Sequence, residues 1–274
     1  MIFGTYIFYN LLTKNKLVGE VMEKELAILQ DKIRFVTKNE SENICIVGPV
    51  ELPIKQGDFK ATFNWYTWIS VDAKWTKEDV LSNIGQMDLA LGQQSSVLTF
   101  GPFHENKEAI IRMHSICHTG DIFGSQRCDC GYQLQESMKM IVANGCGALF
   151  YLADHEGRGI GLFSKTLAYI LQENEYDTVE ANNALGLEDD TRNYEEAIKV
   201  LGALREHPVK LITNNPKKLK ALQSHGLLVD GHIPIWGGET ETNAFYLQTK
   251  VEKAGHIRDE NTGDNRSALH AVSS

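Results

Sequence analysis

The stretch from His114 to Cys130 reads H-S-I-C-H-T-G-D-I-F-G-S-Q-R-C-D-C, and it constrains the fold more than any other part of the chain. Cys117, Cys128 and Cys130 fall in a C-x10-C-x-C spacing, with Gly120 and Gly124 letting the intervening chain turn back. A C-x-C pair is too close for an easy disulfide but can bind a metal from one turn. Thiolates are soft, charged ligands that suit zinc, and three protein ligands with one open position describe a hydrolytic site rather than a sealed structural one. The spacing is not one of the common finger patterns, so three unrelated thiols in a cysteine-poor protein remain the alternative.

A chain of 274 residues accommodates one large domain or two small ones, and 42% hydrophobic with 23% charged residues describes an ordinary globular protein with a sizeable core. The net charge of -9 argues against a general nucleic-acid binder, which needs a basic face. An anionic small molecule can still bind where a few cations and helix N-termini are gathered. Five cysteines at irregular spacing form no disulfide framework, and a reducing, cytoplasmic location is the simpler expectation. The apolar opening MIFGTYIFYNLL lacks a basic flank and a small-residue cleavage site, and it is shorter than the roughly 20 residues of a membrane helix. Neither a signal peptide nor a membrane span is expected.

Taken in order, Met22 to Ile33 carries a weak helical pattern through Leu26 and Leu29, and Ile46 onward turns to short β-rich runs. Glu51 to Phe63 shows turn residues at Pro53 and Gly57, then alternation through Phe59, Ala61 and Phe63. Val97–Phe100 and Ala109–Met113 read as strands on either side of the polar turn His104 to Lys107, and the second delivers Arg112 and His114 into the cysteine stretch. Beyond Cys130, helix and strand alternate. Leu134, Met138, Ile141 and Val142 mark a helix closed by Asn144-Gly145, and Ala148–Leu152 is a buried strand. A further helix should turn Leu162, Leu167, Ile170 and Leu171 inward, with Lys165 and Tyr169 on other faces. Tyr194, Ile198, Leu201 and Leu204 mark another helix, Val209–Thr213 a strand, Pro216 the first turn of a helix, and Leu227–Val229 a last strand. The pattern predicts an α/β (mixed α+β) core behind a β-rich N-terminal half.

Two strand-to-helix turns could serve an anion. Gly157-Arg158-Gly159-Ile160-Gly161 exposes backbone N–H groups and offers the planar fork of Arg158, although a tight connection with a surface arginine explains it equally. Thr213-Asn-Asn-Pro-Lys-Lys218 again places a hydroxyl, amides and cations at a helix start. Asp190 and Arg192 read, by themselves, as a solvated acidic loop with one compensating charge.

The ordered motifs H-S-x-C-x-T-G-D…R-C-D-C-G-x-Q-L, E-G-R-G-I-G-L, A-Y-x-L-Q, D-T-V-E-A-N-x-x-L-G, L-x-T-N-N-P-K-K and N-x-x-Y-L-x-T-K-x-x-K-x-G-H resemble GTP cyclohydrolase II. The similarity runs from about Leu52 to His256 and is most specific from Arg112 onward. It implies the fold of that family and zinc-dependent opening of the guanine imidazole ring, the first step of riboflavin synthesis. C8 would leave as formate and pyrophosphate would be lost, giving a phosphoribosylamino-diaminopyrimidinone. Carried over by position, Cys117, Cys128 and Cys130 would hold one zinc ion. Arg112, Met113, His114, Ser115 and Gln133 would line the nucleotide site, Glu156, Gly157 and Arg158 would contact nucleotide and phosphates, and Thr178, Thr213 and Lys218 would complete it. Asp190 matches the family's proton acceptor, Arg192 its proposed nucleophile on the α-phosphorus, and Tyr169 a tyrosine needed for ring opening. A guanidinium is protonated at ordinary pH, so charge stabilisation by Arg192 is the conservative alternative. Mg2+ on the triphosphate and a homodimer are further implications.

The chain departs from the family pattern in places. Ala153-Asp154-His155 stands where an arginine is common, Ile116 where a glutamate is common, and His118 where an apolar residue is usual. His155 and Cys146 hold no motif position and are expected to be structural. Residues 1–45 read as an N-terminal extension, 46–257 as the catalytic domain and 258–274 as a mobile tail. The alternatives are a paralogue of the same fold acting on another nucleotide in nucleobase catabolism, and a non-catalytic zinc- and nucleotide-binding protein.

Overall fold

The computed structural model describes residues 23–253 and 255–257. The apolar opening, Met22 and the polar tail lie outside the described residues. A helix over 23–31 (α1) leads into β1 (Ile33–Thr37), β2 (Glu42–Gln56) and β3 (Phe59–Asp72), a meander whose long hairpin turns at Gly57. Ile33 belongs to β1 rather than to the helix expected to reach it, and Leu26 and Leu29 are exposed. Pro53 does not turn the chain: it sits inside β2 opposite Thr62. It is tolerated because the β1 pairing ends at Val47, so among the described residues β2 has no strand neighbour on that side where a missing N–H would matter. A small core of Ile33, Cys45, Val71 and Val80 lies under this meander, closed by α2 (Lys77–Asn83), whose Thr76 and Asp79 form a reciprocal cap.

The remaining strands are β4 (Ser96–Phe100), β5 (Ile110–Ser115), β6 (Gly147–Leu152), β7 (Val209–Ile212) and β8 (Leu228–Ile233). All eight join one mixed sheet in the order β1-β2-β3-β4-β6-β5-β7-β8, antiparallel through β4 and parallel among β5, β6, β7 and β8. The architecture is thus the mixed α/β class with a β-rich front that the sequence pattern implies. Helices cover both faces. On one, α6 (Glu195–Leu204) and α7 (Pro216–Gln223) set Ile198, Leu201 and Leu222 against Ile111, Met113 and Phe150. On the other, α3 (Cys130–Ala143) sets Met138 and Ile141 against Ile110, Leu149 and Ile212.

Strand β5 explains where the site lies. It is central, so both its faces are covered, and its odd and even residues go to different layers. Ile111 and Met113 enter the α6 layer; Ile110 enters the α3 layer, and the same face then continues as Arg112 and His114. One face of one strand therefore passes from apolar core to polar cleft as it approaches its carboxyl end. β6 and β7 end on the same side, which is where open parallel sheets gather their ligands.

Ile141 is fully buried between α3 and the sheet. Ile141→Ala should lower the unfolding free energy by about 3 kcal/mol, as large-to-small core changes do, seen as a lower urea midpoint at unchanged slope. A loss below about 1 kcal/mol would show that this layer does not pack as described.

Candidate active site

The three thiols converge. Cys117 follows β5 and caps a single π-helical turn, His118–Ile122, which carries the chain back on itself; Cys130 opens α3. Asp121 pins this turn by accepting from the Cys117 N–H (2.9 Å), the Tyr151 hydroxyl (3.1 Å) and His114 Nε2 (3.0 Å). The three Sγ atoms lie within 4.8 Å of one another, and Cys117 and Cys128 are 3.6 Å apart. A tetrahedral zinc with bonds of about 2.3 Å would space its sulfurs about 3.8 Å apart, so the trio fits that ion. Gly120 is required here, since a Cβ would stand 2.8 Å from Cys128 Sγ. Hydrogen bonds from Cys128 and Cys130 hold the Cys117 thiol far below its ordinary range. The resulting thiolate accepts hydrogen bonds from the Cys128 and Cys130 thiols, which keeps their protons on and pushes Cys128 up to about 11 and Cys130 well above normal, with burial and adjacent like charge adding to it. A divalent cation is what allows all three to ionise together.

Lys165 stands against this cluster. On α4 (Leu162–Gln172) its Nζ donates to Glu156 Oε1 (2.6 Å), Thr119 Oγ1 (3.2 Å) and Cys117 Sγ (3.2 Å). Burial opposes its charge, but the Cys117 thiolate and the Glu156 carboxylate outweigh this and hold it above the usual lysine range. Glu156 in turn accepts from the His118 N–H (2.7 Å). The expected orientation of α4 is therefore reversed. Lys165 and Ala168 are buried, Tyr169 is half-buried, and Leu162, Leu167 and Ile170 are exposed. Of the apolar stripe expected to face the core, Leu171 alone is half-buried; the face that turns inward is the one neutralising buried charge. Arg127 lies over the Tyr169 ring at 4.3 Å and fixes it beside the thiols.

The cleft has two chambers. The thiol chamber, about 690 Å³, is lined by Cys117, Cys128, Glu156, Lys165, Tyr169 and Thr178 among others. The cationic chamber, about 1030 Å³ including its open mouth, is lined by Arg112, Gln133, Thr213, Lys217, Lys218 and residues of the C-terminal helix α8 (Ala244–Glu252) among others. Ser115, Cys130, Arg158, Arg192 and Tyr246 border both. Arg112 and Lys218 are buried and bond only to neutral groups: Arg112 to the Ile212 carbonyl (3.0 Å) and Gln133, Lys218 to the Met113 carbonyl (2.7 Å). Among the described residues neither has an ion-pair partner. Desolvation and the neighbouring Arg112, Arg192 and Lys250 drive Lys218 well below its ordinary value. Two buried cations without anions are costly unless a ligand supplies the negative charge.

Between the chambers, Asp190 grips Arg192 with both oxygens, accepting from Nε (2.7 Å) and Nη2 (2.9 Å). Burial works against both charges, yet the paired fork leaves Asp190 far below and Arg192 above their usual ranges. Nη1 of Arg192 donates to Ser115 Oγ (3.3 Å), and His155 lies 3.2 Å from the same hydroxyl through Nδ1 while Nε2 donates to the Asn193 carbonyl (2.8 Å). Arg158 adopts a left-handed φ of 69°, uncommon for a side-chain-bearing residue, and so reaches the border of both chambers. Its loop is backed by Thr191, whose hydroxyl would meet a Cβ on Gly159 at 2.2 Å.

Of the residues singled out in the sequence, all but Met113 line these chambers; the Met113 side chain is in the core and only its carbonyl serves the site. Asp154 lines neither chamber and its side chain is 66% exposed, so its charge stays outside the cleft, whereas Ile116 does border the thiols. Cys146 is core, as expected. Sequence reasoning missed Lys165, Asn182, Tyr246, Lys250 and His256. The signal for the first was present: Lys165, Ala168, Tyr169 and Gln172 recur at helical spacing and all border the thiol chamber.

Convergent thiols that could hold a metal ion lie beside buried cations that have no ion-pair partner among the described residues, at the carboxyl ends of a mixed sheet. The GTP cyclohydrolase II profile matches residues 76–234. GTP cyclohydrolase-2 of Colwellia psychrerythraea is 48% identical over 166 residues, 61% of this chain and 82% of that protein. The corresponding Shewanella pealeana protein is 44% identical over 176 residues, 64% of this chain and 84% of that one. The riboflavin biosynthesis protein RibBA of Aquifex aeolicus is 45% identical over 166 residues, but the match spans only 41% of its length. The chain belongs to the GTP cyclohydrolase II family.

Two outcomes follow from this geometry. Cys128→Ser should purify without stoichiometric zinc, and Lys165→Met should lose zinc to a chelator about tenfold more readily, as changes beside metal ligands do; unchanged metal content in both would refute the site. Burial depresses His155 to about 4, below its unfolded value of about 6.5, so the folded chain binds fewer protons between those values. Its contribution to stability is present above pH 6.5 or so and is lost as pH falls towards about 4. His155→Gln should flatten that limb of the denaturation profile.

Proposed function

We propose that this chain is a zinc-dependent GTP cyclohydrolase II that opens the imidazole ring of GTP, releasing formate and pyrophosphate. The observation that carries this reading is the continuity of the two chambers: a purine beside the thiols would hold its phosphates against Arg112 and Lys218, with Arg192 at the border. Zinc, when held by Cys117, Cys128 and Cys130, supplies Lewis acidity that lowers the pKa of water beside C8. Lys165 offsets the surplus negative charge of three thiolates and orients Glu156. Tyr169, stacked under Arg127, bounds the base and is placed to exchange a proton during ring opening. Asn182, buried with neither amide atom partnered among the described residues, is the group we assign to the base edge.

Arg192 faces the α-phosphorus. The two-oxygen hold of Asp190 keeps it a guanidinium, which favours stabilising developing charge over nucleophilic attack. Arg158, Thr213 and Lys218 position the remaining phosphates, and Mg2+ on the triphosphate shares that load. Residues 46–257 form the catalytic unit in this reading. A location in a reducing cytoplasm suits the five free cysteines, and a homodimer is the assembly we assign by family. Among the described residues no helix is long and apolar enough to cross a membrane.

A second reading rests on Ile116. An apolar side chain at the thiol chamber, where relatives commonly carry a glutamate, would suit a different base. One assay decides. Metal-replete protein with Mg2+ should convert GTP to formate and pyrophosphate; Cys128→Ser should abolish formate, and Arg192→Ala should stop both products. Absence of both products from GTP, with turnover of another nucleotide in a panel read by mass spectrometry, would replace the first reading with the second.

A further inference from the structure

The roles carried by resemblance stop at Lys218, and the family profile ends at residue 234. The chain beyond is nevertheless built into the cleft. Asn243, fully buried, accepts from the Thr240 N–H (2.8 Å) and donates to the Gly238 carbonyl (2.8 Å), which starts α8 at a fixed point. Lys250 Nζ reaches Asp129 Oδ1 at 2.5 Å, between two of the thiols in sequence. At the far end, the Ile257 N–H donates to the Asn214 carbonyl (2.9 Å), and Trp236 Nε1 donates to the Ile257 carbonyl (3.0 Å). The far end of the segment is thus tied to Asn214, which lines the cationic chamber.

The cations on this segment differ in what holds them. Lys250 is buried and matched by Asp129. Lys253 is 42% exposed and pairs with Asp177 and Glu180. Asp177 already caps α5 (Thr178–Ala184) by accepting from the Val179 N–H (2.8 Å) and the Glu180 N–H (3.1 Å), so it remains satisfied if Lys253 turns away. His256 lies at the chamber with Lys250, Lys218, Arg192 and Arg158 as its charged neighbours, and burial together with those cations depresses it to about 3. An anion arriving there would reverse that balance. Lys253 and His256 line the cationic chamber and not the thiol chamber.

We propose that Lys253 and His256, just beyond the end of α8, form the distal-phosphate subsite of the cleft, where they bind the outer phosphates of a nucleoside triphosphate and select it over a monophosphate. The proposal rests on the reading that the base lies beside the thiols, but a polyphosphate alone can test it. Phosphate oxygens take charge-assisted hydrogen bonds from an ammonium and an imidazole, and a triphosphate offers the cationic chamber two phosphates more than a monophosphate does.

The experiment is calorimetric titration of the full zinc-loaded chain with inorganic tripolyphosphate, GTP and GMP, repeated on Lys253→Gln combined with His256→Gln. The double variant should bind tripolyphosphate and GTP about tenfold or more weakly, while GMP changes by less than about twofold. Lys253→Arg should retain most of the affinity, because the charge stays in reach. Equal loss for all three ligands, or no loss for any, overturns the proposal, as does a parent protein that binds GTP no better than GMP. If the double variant does not fold, Lys253→Gln alone, at its partly exposed position, should still lose about threefold for tripolyphosphate and nothing for GMP; an unchanged tripolyphosphate affinity overturns it. A parent protein that binds tripolyphosphate but not GTP sinks the guanine reading and leaves the subsite standing.

Discussion

Charge balance in a closed space is the constraint on which this structure depends. Cys117 and Cys128 are buried with the half-buried Cys130 beside them, and Lys165 is buried against Cys117 to answer the thiolate charge. Once Lys165 must reach Cys117 and Glu156, the rotation of α4 about its axis is settled, and with it the position of Tyr169 under Arg127. An isolated ammonium would not survive burial, and isolated thiolates would not form; each makes the other tenable.

The opposite imbalance marks the other chamber. Arg112, Lys218 and Arg192 converge there, and only Arg192 is matched by a carboxylate. Folding tolerates this through carbonyl partners, such as Ile212 for Arg112 and Met113 for Lys218, which satisfy donors without cancelling charge. The protein thereby keeps a cationic interior available to a ligand. Glycine supplies the needed closeness at two points: Gly120 lets the sulfurs approach, and Gly159 lets the Arg158 loop lie against Thr191.

Much of the fold was legible because its core obeys simple periodicities. The runs around Ile111, Ala148 and Val209 are short, apolar and bounded by turn residues, and the Met138–Ile141 spacing marks a helix covering the sheet. The failures are equally physical. Pro53 reads as a turn because sequence does not reveal that one side of β2 lacks a neighbour among the described residues, and the apolar residues of α4 read as inward-facing because hydrophobicity ordinarily decides that direction. At the site, the thiols and Lys218 stand out as motif residues, and Arg192 through the family resemblance. Asn182 and His256 stand in quoted motifs without a role, since an asparagine in a helix or a histidine near a chain end is commonplace until its neighbours are known.

By itself, the sequence determined the mixed α/β class, the convergence of Cys117, Cys128 and Cys130 on a short glycine-bearing turn, and the cations available after each strand. Those depend on residue type and on spacing along the chain. Tertiary structure alone decided which cations went unpaired, which face of α4 turned inward, and that Tyr246, Lys250 and His256 would return from the C-terminal region to wall the cleft. Those outcomes depend on distances between segments far apart in sequence, and burial gives such distances their energetic weight by removing the water that would otherwise screen each charge.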